Sequence, residues 1–298
     1  MSTTLAIARP KKPSVAVRLF RVVREVAARP SGAVGLFLVT LHLLVALASP
    51  WLVPYDFKAI SAVLILSPPD SAHWFGTDQL GRDVLTRTLL GGREAILVTL
   101  VATPIAVVWG GFVGIYLGLA GGRLDATLMR VVDAFLALPW ILKMLLLIVT
   151  FGTGIGVLIP TLAVFYGIPV IRIARAAAHN VVARDYVVAA RARGHGRLSI
   201  IAREIFPNVL DALMVEGAMR WSWMLLAFSS LSFLGFGVSP PTPDWGLMIA
   251  DARTFLPIAP WAGLYPIAAL SSLIIGINLT ADALAKALGV DRAYKAPI

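Results

Sequence analysis

Apolar and polar positions fall along this chain in long blocks. Six apolar stretches, residues 31–53, 94–119, 129–151, 157–178, 209–236 and 261–284, are separated by shorter polar segments. Crossing about 30 Å of hydrocarbon takes about 20 apolar residues in a helix, so each stretch predicts a membrane span. Six spans put both termini on one side. Pro160 and Pro169 break the fourth stretch. Ahead of the first, Val15, Leu19, Val22, Val23 and Val26 share a helical face that the arginines avoid, which predicts an amphipathic helix on the membrane surface. Between the fourth and fifth stretches, Tyr186, Ala189, Ala190 and Arg193 stand at i, i+3, i+4, i+7 and predict a short helix. Gly194 and Gly196 interrupt it. Leu198, Ile201, Ala202 and Ile205 repeat the spacing as a second amphipathic turn, which Pro207 ends while serving as the first residue of the next helix. No heptad or solenoid repeat is visible.

Composition agrees with this pattern. Of 298 residues, 58% are apolar and 14% charged, where a soluble domain is about a quarter charged. Mean hydropathy is +0.84. Without cysteine there are neither disulfides nor thiolate metal sites, and His42, His73, His179 and His195 lack ligand-like spacing. A formal charge of +10 raises nucleic acid as a partner. It is set aside, because the basic residues fall in the short segments between apolar runs, where membrane orientation accounts for them. Residues 1–30 hold seven basic residues against Glu25. Ala46-Leu47-Ala48 resembles a signal cleavage site, but the basic region is too long and more spans follow. With the N-terminus inside, the inner segments are 1–30, 120–128, 179–208 and the tail; basic residues are in excess in 1–30 and 179–208, whereas the outer segments 54–93, 152–156 and 237–260 are balanced or acidic. The bias predicts both termini in the cytoplasm.

Residues 180–208 carry Arg184, Arg191, Arg193, Arg197 and Arg203 against Asp185 and Glu204. On charge alone this is a basic loop that orients the protein. Its order adds to that: Ala189-Ala190, Gly194 four residues later, an amphipathic turn, then Pro207-Asn208. This resembles the EAA loop of ABC-importer membrane subunits, which docks into ATP-binding subunits. Val188 stands where that family has glutamate, and Glu204 where a histidine is frequent. The resemblance implies that Tyr186, Ala189, Ala190, Arg191, Gly194, Pro207 and Asn208 couple to the ATPase.

The loop 54–93 is too long for a simple turn. In it Gly76 permits a tight turn, and Thr77 or Asp78 can cap a helix carrying Val84, Leu85, Thr88 and Leu89; read without a family, it is an interfacial helix with Trp74 and Phe75 in the aromatic belt. The string FGTDQLGRDVLTR at 75–87 closely resembles a signature of the dipeptide and oligopeptide branch of ABC permeases. So does 231–246, where Gly235 and Gly237 end or distort span five and Pro240, Pro241 and Pro243 hold an extended segment before Trp245. Leu138-Pro139, Asn278 and Asp282 match the family as well, while the tail at Gly289–Arg292 departs from it. The resemblance covers roughly 72–288. It implies an all-α polytopic protein with the six-helix type I importer permease (MetI-like) fold. The expected parts are a cytoplasmic segment 1–30, a first span and external loop 31–93, a permease core 94–284 containing the coupling loop 179–208, and a cytoplasmic tail 285–298. The irregular outer segments predict an external gate and a surface for a solute-binding protein at Trp74, Gly76, Asp78, Gly81, Arg82, Asp83, Gly235, Gly237, Pro240, Pro241 and Trp245.

Charges within spans are costly and usually face the bundle interior or water. Glu216 and Arg220, spaced i, i+4, are expected to pair. Asp133 and Asp211 lie near inner ends, within reach of water. Lys143, Trp140 and Phe233 are the candidates for a solute path. The implied protein is one permease subunit of a bacterial inner-membrane importer of di- or oligopeptides, with nickel or another small solute as an alternative cargo. Its expected partners are a related permease, ATP-binding subunits, an extracytoplasmic solute-binding protein and lipid. The chain has no G-x-x-x-x-G-K-[ST] loop, so ATP and Mg belong to the partners; no cofactor is expected here. A self-contained secondary transporter fits the hydropathy equally, but has no reason to keep the docking loop. An intramembrane enzyme lacks a nucleophile–base set.

Overall fold

The computed structural model describes residues 15–290. The described part is helical and contains no strand; the one β-type contact is an isolated bridge between Thr77 and Asp83. Chain order is α1 (Val15–Ala27), α2 (Pro30–Leu52), α3 (Val84–Gly91), α4 (Arg93–Ala120), α5 (Gly122–Ala137), α6 (Trp140–Phe151), α7 (Ile155–Val182), α8 (Asp185–Ala192), α9 (Arg197–Ile200), a π-helical turn (Ile201–Ile205), α10 (Phe206–Phe233), α11 (Trp245–Ala252) and α12 (Trp261–Ala287). The outer part of the expected segment 1–30 and the tail beyond residue 290, including Asp291 and Arg292, lie outside the described residues.

Small residues set the centre of the bundle. Gly110, Gly114 and Gly118, one helical turn apart on α4, face Gly167, Ala174 and Ala178 of α7. A Cβ on Gly110 would stand 2.3 Å from the Gly167 carbonyl oxygen, and one on Gly114 would stand 2.4 Å from that of Ile171. In lipid no hydrophobic force drives helices together, so such backbone approach is what gives van der Waals packing its strength. Trp109 locks the pair by donating from Nε1 to the Ala163 carbonyl, 2.9 Å away. The register rises together on both helices, so α4 and α7 run parallel. α10 lies antiparallel to α4, with Leu213 near Gly111 and Trp221 Nε1 donating to Thr99 Oγ1 at 3.0 Å. A second close pair joins α2 to α12, where a Cβ on Gly276 would meet the Leu38 Cβ at 2.7 Å.

Among the described residues, four helical stretches are long and apolar enough to cross a membrane: Pro30–Leu52, Val84–Ala120, Ile155–Val182 and Trp261–Ala287. The α5–α6 pair makes a fifth if a bent pair counts as one span. α10 has the length, 28 residues, but carries Asp211, Glu216 and Arg220 and is not among them. The expectation of six rests on α10, which runs the length of the bundle.

Two expected spans differ in shape. Residues 129–151 do not form one helix: α5 and α6 meet at 87°. Pro139 has no N–H to continue α5 and holds Leu138 in an extended conformation, φ −75° and ψ 137°. Conversely, α7 is continuous through Pro160 and Pro169, because prolines are tolerated in membrane helices whose neighbours cover the freed carbonyls. Asp211 and Asp133 do not rely on water alone: Arg18 pairs with Asp211 at 2.5 Å and Arg172 with Asp133 at 3.4 Å. Glu216 and Arg220 pair as expected, at 2.6 Å.

Replacing Gly114 with valine is expected to force α4 from α7 at a cost of about 1–3 kcal/mol. The purified variant should lose thermal stability in detergent, whereas valine at Gly156, which has nothing within 4 Å, should lose far less.

Candidate functional site

At one end of the bundle, α7 leads into α8. Val187 and Ala190 are fully buried and pack with Val181, Ile200, Ile201 and Ile205. Tyr186, Val188 and Ala189 face outward. The two alanines therefore divide: Ala190 anchors α8 on its own chain, and Ala189 alone is open to another protein. Gly194 ends the helix with φ +79°. Its N–H donates to the Arg191 carbonyl at 2.9 Å, and that of His195 donates to Ala190 at 3.2 Å. This is a Schellman closure, which favours glycine at its left-handed position. Arg191 Nη2 donates to the Leu119 carbonyl at the end of α4, 3.3 Å away. The expected second amphipathic turn is only partly α-helical, since Ile201–Ile205 widens to a π turn in which Phe206 N–H reaches the Ile201 carbonyl. Pro207, in the first turn of α10, does not end the helical path. Asn208 Nδ2 donates to the Glu204 carbonyl at 2.6 Å and ties α10 to the π turn. π turns of this kind concentrate at functional sites.

At the opposite end, α3, α11 and the starts of α4 and α12 gather around a buried ionic cluster. Asp78 accepts from Arg82 Nε at 2.7 Å, and Arg87 Nε lies 3.6 Å from the same carboxylate. Arg82 also reaches Asp251 at 3.8 Å. Arg87 Nη1 donates to Phe57 O at 3.1 Å and Pro241 O at 3.4 Å, so one fully buried guanidinium joins both outer segments. The cap of α3 is Asp83, accepting from Thr86 N–H at 2.7 Å, rather than Thr77 or Asp78. The other Asp83 oxygen meets His73 Nδ1 at 2.9 Å. Trp245 is buried against Gly91 and Gly92 and donates to the Thr88 carbonyl at 2.8 Å. Gly235, φ +85°, closes α10 by the same Schellman pattern as Gly194, with Phe236 N–H donating to Leu231 O at 2.8 Å. Of the eleven outer candidates, Gly76, Asp78, Gly81, Arg82, Asp83, Gly237 and Trp245 are buried and frame the segments, while Trp74, Gly235, Pro240 and Pro241 are exposed. Phe75 stacks on Tyr265, ring centroids 3.7 Å apart.

Arg87 was legible only as one loop charge among several; the signal that marks it is an arginine one turn after Asp83, next to a long apolar run. Asp244 was missed too. It caps α11 through Leu247 N–H at 3.1 Å.

Midway between the ends, the elbow of α5 and α6 opens a cavity of about 600 Å³ lined by Trp140, Lys143, Phe165, Tyr166, Arg220 and Trp223 among others. Lys143 and Trp140 thus meet at one site. Phe233 does not join them; it lines a neighbouring cleft of about 310 Å³, with the Arg253 guanidinium 5.8 Å from its ring. Among the described residues, no group of three or more His, Cys, Asp or Glu is placed to hold a metal.

Comparison with known proteins matches residues 110–291 to the family described as binding-protein-dependent transport system inner membrane component. The chain is 38% identical over 268 residues to the dipeptide transport system permease protein of Escherichia coli K12, covering 87% of this chain and 89% of that one. It is 34% identical over 249 residues to a probable D,D-dipeptide transport system permease protein of the same strain, 82% of each chain. It is 33% identical over 258 residues to the strain's nickel transport system permease protein, covering 87% and 93%.

Burial pushes the Asp244 carboxyl up to about 6, against the opposing pull of the Leu247 N–H. A carboxyl raised by folding contributes stability that is fully present below its unfolded value, near 3.8, and is lost as pH rises through about 6. Asp244→Asn keeps the cap acceptor without the charge. The stability of the variant relative to the parent, followed by its melting temperature, is expected to rise between pH 4.5 and 7.5 by about 2 kcal/mol.

Proposed function

This chain belongs to the binding-protein-dependent transport system inner membrane components, the permease subunits of ABC importers, and on that premise we propose that it forms one half of a solute path and is driven through α8. The observation that carries the reading is the division of α8 into two faces. Its inner face, Val187 and Ala190, is packed on the π turn that enters α10. Its outer face, Tyr186, Val188 and Ala189, is free for a cleft in an ATP-binding subunit. With Val188 in place of the family's acid, the grip there is apolar. Closure of the ATP-binding dimer pushes α8; the buried anchor passes the push to α10, whose far end abuts α11 and the outer segments. ATP and Mg reside on those partners.

The α8 end is the cytoplasmic end. Charge bias supports this, as does the gathering of α1 and the last turns of α12 at the same end, where Arg18 pairs with Asp211 and Gly32 packs on Ala283. α10 crosses as the sixth span, its charges paired or turned inward, in the inner membrane of a bacterium. The exposed outer residues Trp74, Pro240 and Pro241 receive the solute-binding protein, and the buried cluster behind them holds the gate in shape. A related permease supplies the other half of the path, covering the apolar surface of α6 and α10 at Leu142, Leu146 and Met219. The cargo is a di- or oligopeptide, supported by the peptide permeases among the relatives; the nickel permease keeps nickel as the second reading.

Reconstitution tests the reading. The full complex in liposomes should take up a labelled dipeptide when ATP and binding protein are supplied. Uptake at the same rate by this chain alone would refute it. Ala189→Trp should insert and fold normally, yet weaken assembly with the ATP-binding subunits by about tenfold, an overpacking of roughly 1–3 kcal/mol. Ala190→Trp should instead lower the stability of the chain itself.

A further inference from the structure

The elbow cavity has a charge that no carboxylate among the described residues balances. Its charged lining consists of Lys143 and Arg220. Arg220 is held by Glu216, Nε to Oε1 at 2.6 Å. Lys143 has no carboxylate within 4.0 Å among the described residues. Its Nζ donates to the Phe135 carbonyl at 2.6 Å and lies 5.4 and 5.8 Å from the ring centroids of Phe135 and Phe165. An ammonium has three donors, so two remain for another acceptor. The space, about 600 Å³, falls within the roughly 300–1,000 Å³ of small-molecule sites.

A surface of this kind is a poor match for hydrocarbon, because ionisable groups inside membrane segments face the bundle interior or water. The lining also has the division of labour seen in solute sites: apolar and aromatic walls from Trp140, Phe165 and Trp223, and few polar groups to fix orientation. The first turn of α6 opens on the same cavity, and its leading N–H groups have no acceptor within the helix, which adds to the positive potential. A bare divalent cation would be repelled here; a solute bearing a carboxylate would be held.

We propose that the α5–α6 elbow is a subsite of the path that receives a carboxylate of the passing solute, with Lys143 as the recognising cation and Trp140 and Trp223 as the walls beside it. This rests on the permease reading above and narrows its cargo to carboxylate-bearing solutes such as peptides with a free C-terminus.

The test uses the whole reconstituted complex with its binding protein. Uptake is measured for a dipeptide with a free C-terminal carboxylate and for its C-terminal amide, each presented on saturated binding protein, and ATP hydrolysis is followed alongside. Lys143→Met keeps the aliphatic stem and removes the charge, and Lys143→Arg restores a cation. The free dipeptide carried per ATP is expected to fall about tenfold in the methionine variant and to recover in the arginine variant, as loss of one charge-assisted hydrogen bond implies. The amide should change less than about twofold. Equal loss for both dipeptides, or ATP hydrolysis lost together with uptake, would mean that Lys143 only holds the elbow together, and would overturn the proposal. Unchanged uptake in the methionine variant would do the same. A parent complex that carries nickel ion and neither dipeptide would overturn the peptide reading, and the proposal with it.

Discussion

The backbone approach of α4 to α7 is the constraint from which the rest of the bundle follows. Three glycines at four-residue spacing let two 28-residue helices touch through their main chains, where packing in lipid is strongest. Because the two run parallel, the chain between them must return along the bundle. α5 and α6 make that return, and Pro139 divides it at 87°. The elbow cavity is the consequence: a return made by one straight helix would leave no such opening beside α10. α10 then packs antiparallel on the α4–α7 pair and is the one element of this centre that reaches from α8 to α11.

The two ends of the bundle are built on opposite plans. At the α8 end the anchor is apolar, with Val187, Ala190 and Ile201 buried and the arginines outside. At the α3–α11 end the frame is ionic and hydrogen-bonded, with Arg87 bridging segments more than 150 residues apart in the chain. Removing one member of a buried charge cluster leaves the others unpaired, at several kcal/mol, so the outer frame resists distortion. An apolar contact among alanine and β-branched residues slides at less cost. The same Schellman closure, at Gly194 and Gly235, stops a helix abruptly at each end and leaves a defined edge for a partner.

Much of this was legible in the sequence, for physical reasons that differ by element. Apolar length located α2, α4, α7 and α12, because the thickness of hydrocarbon sets helix length. The 3.6-residue period located α8, and a glycine placed four residues after its second alanine located its end. The i, i+4 spacing of Glu216 and Arg220 foretold their pairing, since neighbours on one helix need no tertiary information. The resemblance strings at 75–87 and 231–246 marked the outer segments as special but did not separate the buried frame from the exposed tips.

Local sequence therefore determined where helices lie, which are apolar, and where two of them stop, because those properties follow from residue size, backbone freedom and the thickness of the membrane. Tertiary structure alone decided which side of a helix a residue occupies. Ala189 and Ala190 are chemically identical neighbours, and only the packing of α8 on the π turn buries one and exposes the other. Pro139 breaks its helix while Pro160 and Pro169 do not, because a proline's effect depends on whether neighbouring helices hold the chain straight. Arg87 and Lys143 are both cations beside apolar runs; Arg87 reaches Pro241, 154 residues away, whereas Lys143 stays with the Phe135 carbonyl eight residues before it, and no local pattern encodes that difference.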